Sequence, residues 1–260
     1  MQYSTLIYSV DQGIASITLN RPEARNALND QLVDELEGVL ELIERTEEAR
    51  VVILAGHNDF FCAGADIRML KEWGSILDAQ SFHVKSHRVI NHFDTIPQPV
   101  IAAVSGIALG GGTEISLACD LRIAANNAVF GLPEINLGII PGAGGTQRLP
   151  RTVGLTVARE LLFTGRHVKA AEALQIRLVN KVVPVAELMI EAAALARQIA
   201  EKPAWAVRMM KTCLRDGLQM NLSQALAYEG RCCAFLVSTD DHREGITAFL
   251  EKRKPCFTGK

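Results

Sequence analysis

The sequence predicts an α/β protein with crossover connections and a helical carboxy-terminal section, on three observations. Short apolar, strand-like runs alternate with glycine-containing loops and helix-period segments as far as Gly154. Each such run is followed by a loop and then a helix, the order of crossover units. Beyond Gly154 strand signals nearly vanish and helical periods take over.

Taken in order, residues 6–10 and 14–19 carry apolar side chains around Asp11-Gln12-Gly13, as the arms of a hairpin do. After Asn20-Arg21-Pro22, the side chains of Leu32, Leu36, Val39, Leu40 and Ile43 recur at helical spacing, with Asn29 or Asp30 available as the cap. Residues 51–55 form an apolar strand. A glycine loop at 61–66, one or two helices to residue 93 and a buried strand at 100–104 repeat the order. A third unit runs from a second glycine loop through a helix starting near Gly111 and a strand at 121–125 to a loop at 133–142. Segments 155–163, 169–176, 186–201, 203–217, 221–237 and 239–252 read as helices, with one strand at 180–183.

The composition fits an ordinary globular protein: 260 residues, 48% hydrophobic, 22% charged, with a formal net charge of -2. Nucleic acid is therefore not expected as a partner, and the short basic run Lys252-Arg253-Lys254 reads as a solvated helix end. Six cysteines lie scattered without a C-x-x-C pair, which supports neither a zinc site nor a disulfide framework and points to a reducing compartment. His83 and His87 stand four residues apart, but no carboxylate-bearing metal motif completes them, so no metal is expected. Residues 1–10 lack a basic segment leading into an apolar one, and no run of 18 apolar residues occurs. The expectation is a cytoplasmic protein, or the mature form of a mitochondrial one, with no membrane partner.

Two glutamates framed by glycines carry the chemistry: Glu114, after Gly110-Gly111-Gly112-Thr113, and Glu134, in Pro133-Glu134 through Pro141-Gly142. Near them, Phe61-Cys62-Ala63-Gly64-Ala65-Asp66-Ile67 and Gly106-Ile107-Ala108-Leu109-Gly110-Gly111-Gly112 each precede a helix, where free N–H groups converge. Two such loops can aim two N–H groups at one oxygen, the arrangement of an oxyanion hole. In the first turn of its helix, Glu114 is pulled toward the anion by the helix dipole and toward the neutral acid by burial, which leaves its protonation state open. Glu134, beside an apolar run, is expected to hold a proton near neutral pH. The plainer alternatives are that Glu114 caps neighbouring N–H groups and Glu134 makes a salt bridge. Cys62 reads as a buried, unreactive small hydrophobe. Neither a dinucleotide fingerprint nor a P-loop occurs, and Ser105 lacks a nucleophile elbow. Met69, Leu70 and Trp73 recur on one helix face and would either bound a ligand pocket or pack in the core.

In these loops the chain resembles the crotonase (enoyl-CoA hydratase/isomerase) superfamily over essentially its whole length. Asn20-Arg21-Pro22 with Asn26-Ala27-Leu28, the loops around Gly64 and Gly110, and Pro133-Glu134 through Gly142-Ala143-Gly144-Gly145-Thr146-Gln147-Arg148-Leu149 stand in the family's order. The resemblance implies a crotonase-like spiral of ββα units over residues 1–195 and a helical trimerisation region over 196–260, assembled as a homotrimer or a dimer of trimers. It implies that the N–H groups of Ala65 and Gly111 form the oxyanion hole for an acyl-CoA thioester. Glu114 would activate water, Glu134 would donate the proton, and Gly142 N–H would position the water or its carboxylate. For CoA it points to the backbone of Ala63, Ala65 and Ile67, with Arg25, Arg68 and Lys252 near phosphate or adenine groups. The implied activity is enoyl-CoA hydratase: syn hydration of a trans-2-enoyl-CoA to 3-hydroxyacyl-CoA, short-chain if Trp73 closes the pocket. No cofactor is needed, because CoA belongs to the substrate. The alternatives are a Δ3,Δ2-enoyl-CoA isomerase, which needs one carboxylate, and a non-catalytic acyl-CoA- or RNA-binding relative.

Overall fold

The chain opens as a hairpin in which β1 (Leu6–Asp11) pairs antiparallel with β2 (Ile14–Leu19). Gln12 (φ 48°) and Gly13 (φ 76°) supply the two left-handed residues that match a tight turn to the twist of its strands. The computed structural model describes residues 3–46, 48–57 and 60–260, so residues 1 and 2 of the amino-terminal stretch lie outside it. Helix α1 (Asp30–Arg45) follows, capped by Asn29, whose side chain accepts the Leu32 N–H at 3.0 Å. It buries the stripe Leu32, Leu36, Val39, Leu40 and Ile43 against the sheet.

Two further turns repeat the order: β3 (Val51–Gly56), β4 (Phe60–Cys62), α2 (Ile67–Glu72) and α3 (Ile76–Thr95), then β5 (Val100–Val104), β6 (Ile107–Leu109) and α4 (Gly111–Ala118). A fourth begins with β7 (Leu121–Ala125) and β8 (Val129–Gly131) and continues through a 3-10 turn at Pro133–Leu137 into α5 (Gly145–Val153) and α6 (Leu155–Thr164). β9 (Val168–Lys169), α7 (Ala170–Gln175), β10 (Lys181–Val183) and helices α8 (Leu188–Ala200), α9 (Ala204–Gly217), α10 (Leu222–Leu236) and α11 (Asp240–Leu250) complete the chain.

The first strand of each turn joins a six-stranded sheet, ordered β1-β2-β3-β5-β7-β10, and the second joins a four-stranded sheet, ordered β4-β6-β8-β9. All neighbours from β2 to β10 in the first sheet and from β4 to β8 in the second are parallel, so the chain climbs by one strand in each sheet per turn. This is the expected α/β spiral of ββα units. β4 and β6 fall in stretches that read as glycine loops, and β8 in one with no assigned element, because three residues are too few to display a period of two. It also passed over β9 and α5, the latter opened by Gly144-Gly145 and holding Pro150 inside.

Parallel strands covered on both faces read as continuous apolar runs, and alternate residues serve different layers. Val51, Ile53, Ile101, Ala103 and Ile123 pack on one face with Leu188, Ala192 and Ala196 of α8. Val52, Leu54, Val100, Ala102 and Ala124 face the other way, into the larger core with α1, α3 and α4. Because α8 runs unbroken through residue 195, the boundary expected there falls inside a helix that covers the sheet. Helices α9–α11 instead leave Leu214, Leu218, Leu222, Phe249 and Leu250 largely exposed.

One buried cation ties this helical section to the core. Lys211 of α9 donates through Nζ to the carbonyls of Phe93 (3.1 Å) and Gln98 (3.0 Å) and to Asp120 Oδ2 (2.8 Å), which also accepts the Val100 N–H at 2.7 Å. The pair is stable only because the remaining valences are met by backbone. Replacing Lys211 with Met should therefore strand Asp120 and two carbonyls and cost about 3 kcal/mol. Urea unfolding of the variant against the parent measures that loss.

Candidate active site

Three successive parallel strands of the smaller sheet end at one place. β4 runs out into Gly64-Ala65, β6 into Gly110-Gly111 and β8 into Pro133-Glu134. The carboxyl ends of parallel strands are where α/β sheets bind ligands, and here they border a cavity of about 140 Å³. Its lining includes Ala63, Gly64, Ala65, Gly110, Gly111, Glu114, Glu134 and Gly142, so sequence-predicted residues from the two glycine loops, from α4 and from the 133–142 segment meet there. The rest of the lining is largely apolar and aromatic, with Leu28, Leu70, Trp73, Phe82, Leu137 and Ile140. Leu70 and Trp73 thus border the cavity, whereas Met69 packs on the core.

Backbone-to-backbone contact sets this geometry. A Cβ on Gly112 would stand 2.2 Å from the Cys62 carbonyl oxygen, so the first turn of α4 lies directly on the end of β4. Gly110 has φ 51° and lies so close to Glu134 that a Cβ would reach its Oε1 at 2.9 Å. Leu28 flanks the loop on its other side: Leu28 N–H donates to Gly64 O (2.7 Å) and Asp66 N–H donates to Leu28 O (2.8 Å). Those bonds hold Ala65 in place while leaving its own N–H outside the backbone bonds described. Gly111 N–H opens α4 and has no helical partner, as at any helix start. Thr113 Oγ1 donates toward Ala108 O (2.5 Å) and accepts the Gly131 N–H (3.1 Å), joining β6 to β8 behind the helix.

Glu114 is buried, 3% exposed, and its Oε1 accepts the N–H groups of Ala143 (2.7 Å) and Gly145 (2.8 Å). Burial raises its pKa, while those two N–H groups and the Arg148 guanidinium pull the other way. Both hydrogen bonds fall on one oxygen, so Oε2 stands clear of them. Gly142, the residue expected to position water or carboxylate, lies in the cavity wall against the His83 ring, and the donors to Glu114 come from one and three residues further on. Only the fold of the loop, with Gly144 at φ 112°, decides which N–H points inward, so the sequence reading missed Ala143 and Gly145.

Glu134 makes no ion pair among those described, and its Oε2 is buried without a hydrogen-bond partner. Burial pushes its pKa up to about 7, with the Glu114 charge adding to the rise and its own backbone N–H opposing. Cys62, wholly buried, has its thiol pushed up to about 12, which fits an inert core residue. Of the positions expected near CoA, Ala63, Ala65 and Ile67 line the cavity. Arg25 is exposed beside them, its carbonyl accepting the Ala63 N–H (3.1 Å) and its guanidinium over the Phe60 ring at 5.5 Å. Arg68 is exposed in the first turn of α2, and Lys252, just past α11, does not belong to the lining.

This architecture has close counterparts. A crystal structure of enoyl-CoA hydratase from Bacillus anthracis superposes with a TM-score of 0.96 at 41% identity, covering 99% of this chain and 100% of that one. The family profile for enoyl-CoA hydratase/isomerase matches residues 9–260. The chain belongs to the enoyl-CoA hydratase/isomerase family. Within the family, a short-chain-enoyl-CoA hydratase of Clostridium acetobutylicum is 44% identical over 255 residues, 98% of this chain and 97% of its own length. A crotonyl-CoA hydratase of Syntrophomonas wolfei is 41% identical over 261 residues, the full length of both.

The raised Glu134 pKa has a consequence for folding. A carboxyl that binds its proton more tightly in the folded than in the unfolded chain penalises folding as the pH climbs from the unfolded value, and the penalty levels off above the folded pKa of about 7. Glu134→Gln should therefore gain stability relative to the parent between pH 5 and pH 8. Urea midpoints at the two values check the sign.

Proposed function

We propose that this family member adds water reversibly across the double bond of a trans-2-enoyl-CoA, giving a 3-hydroxyacyl-CoA. The observation that carries this reading is one apolar cavity bordered by two carboxyls and by two uncommitted N–H groups. The thioester oxygen accepts from Ala65 N–H and Gly111 N–H, the second at the positive end of the buried helix α4. A water held between the carboxyls loses a proton to Glu114 as its oxygen bonds to Cβ, and the π electrons move to the thioester oxygen as an enolate. The enolate then collapses, and Cα takes the proton that Glu134 holds near neutral pH. Both carboxyls serve this addition, whereas moving a double bond needs only one, so hydration is favoured over isomerisation.

No redox group or metal takes part in these steps, and CoA enters as part of the substrate. The backbone of Ala63, Ala65 and Ile67 would meet its pantetheine arm, with Arg25 and Arg68 as cations toward its phosphates. A volume of about 140 Å³ lies below the roughly 300–1,000 Å³ of pockets for drug-sized ligands. That size supports a short acyl group, in keeping with the names of the Clostridium and Syntrophomonas relatives.

Purified protein should abolish the conjugated thioester absorbance of crotonyl-CoA, with rates falling as the chain lengthens. Glu114→Gln and Glu134→Gln should each cost about 3 kcal/mol of transition-state stabilisation, roughly a hundredfold in kcat/KM. Unchanged absorbance would end the hydratase reading, and a Gln variant at parental speed would remove that residue from the mechanism.

The exposed apolar side chains of α9–α11 support assembly of this chain into a homotrimer, or a dimer of trimers, through that section. Sedimentation should give a multiple of three protomers, and Leu222→Glu with Phe249→Glu should reduce it. A monomeric parent would refute this.

A further inference from the structure

Buried polar side chains normally find partners. Among the described residues, five buried side-chain atoms have none, and three of them belong to residues lining one cavity: Glu134 Oε2, His83 Nδ1 and Ser86 Oγ. Glu134 is accounted for by the proposed chemistry. His83 and Ser86 are not. They sit three residues apart on one face of α3, beside Phe82 and Trp73, at the apolar part of the cavity where an acyl group would lie.

Ser86 is the more telling. It is 2% exposed, at the wall of the cavity. A helical hydroxyl ordinarily meets its need by donating to a carbonyl three or four residues back. Ser116, Thr152, Thr164 and Thr212 all do so here, at 2.8, 2.9, 2.7 and 3.0 Å. Ser86 does not, although the Phe82 carbonyl lies one turn behind it. His83 is held edge-on to Trp73, with ring centroids 5.6 Å apart, and its ring lies against Gly142, leaving Nδ1 without a hydrogen bond of good geometry. Burial and the neighbouring His87 lower its pKa, against a smaller opposing contribution from a hydrogen bond with the Gly142 backbone, and the net lowering favours the neutral ring. An unpartnered hydroxyl at an apolar wall, beside an imidazole nitrogen without a partner of good geometry, costs stability.

Resting on the hydratase reading, we propose that Ser86 and His83 form a polar subsite that selects short 2-enoyl-CoA substrates bearing a hydroxyl beyond the double bond. A hydroxyl is the matching group, because it accepts from Ser86 O–H and donates to the imidazole nitrogen at once. A purely aliphatic chain would leave both side chains unsatisfied or displace water without replacing its hydrogen bonds.

The test compares kcat/KM for trans-2-enoyl-CoAs of four, five and six carbons with and without a terminal hydroxyl, in the parent, Ser86→Ala and His83→Leu. At one chain length the hydroxyl should raise kcat/KM about tenfold over its unsubstituted counterpart in the parent, and that ratio should fall toward one in both variants. A ratio at or below one at every length in the parent overturns the subsite, as does a preference that survives both substitutions. Should even crotonyl-CoA go unreacted, the hydratase reading fails by itself. Calorimetric Kd values for crotonyl-CoA and its 4-hydroxy analogue then decide the subsite, and equal values overturn it.

Discussion

The site depends on one close approach of main chain to main chain. The first turn of α4 rests on the carbonyl of Cys62, at a separation that no side chain on Gly112 would allow. Because that contact is made, the amino-terminal end of a fully buried helix meets the loop after β4, and two N–H groups without helical partners border the same cavity. Arg122 secures the opposite end of the helix, donating to the carbonyls of Ser116 (3.1 Å) and Cys119 (2.8 Å). The helix is therefore fixed at both ends, so its dipole keeps one direction relative to the cavity.

The two carboxyls sit in unlike surroundings, and the difference divides their proposed tasks. Glu114 is the more deeply buried, yet two N–H groups on one oxygen and a nearby guanidinium favour its charge. Glu134 has no such compensation on Oε2 and feels the negative charge of its neighbour, so it keeps its proton to near neutrality. Burial raises both carboxyls, and Glu114 alone has two N–H donors and a guanidinium opposing that rise, which suits it to the part of the base and Glu134 to that of the acid.

The large elements were legible in the sequence because their signals are long: the α1 stripe over about three turns, the unbroken apolar runs of β3 and β5, and the glycine loops framing Glu114. What escaped was short or decided by packing. β4, β6 and β8 are three residues each, and their membership of a second sheet follows from how the turns of the spiral stack. Ala143 and Gly145 are ordinary loop residues until the backbone turns their N–H groups inward. His83 reads in the sequence only as half of an incomplete pair with His87, and Ser86 carries no signal there; it is the cavity beside α3 that brings the two together.

Parallel neighbours in a sheet lie about 4.8 Å apart. Ala65 and Gly111 follow adjacent strands of the small sheet, and Glu134 follows the next, so hydrogen bonding between strands fixes the pitch at which these groups recur. The separation of the two donors is a property of the polypeptide backbone itself, immune to most side-chain replacement. A lineage built on this scaffold can exchange whatever stands at the third position, or along the α3 wall, and inherit the same pair of backbone donors.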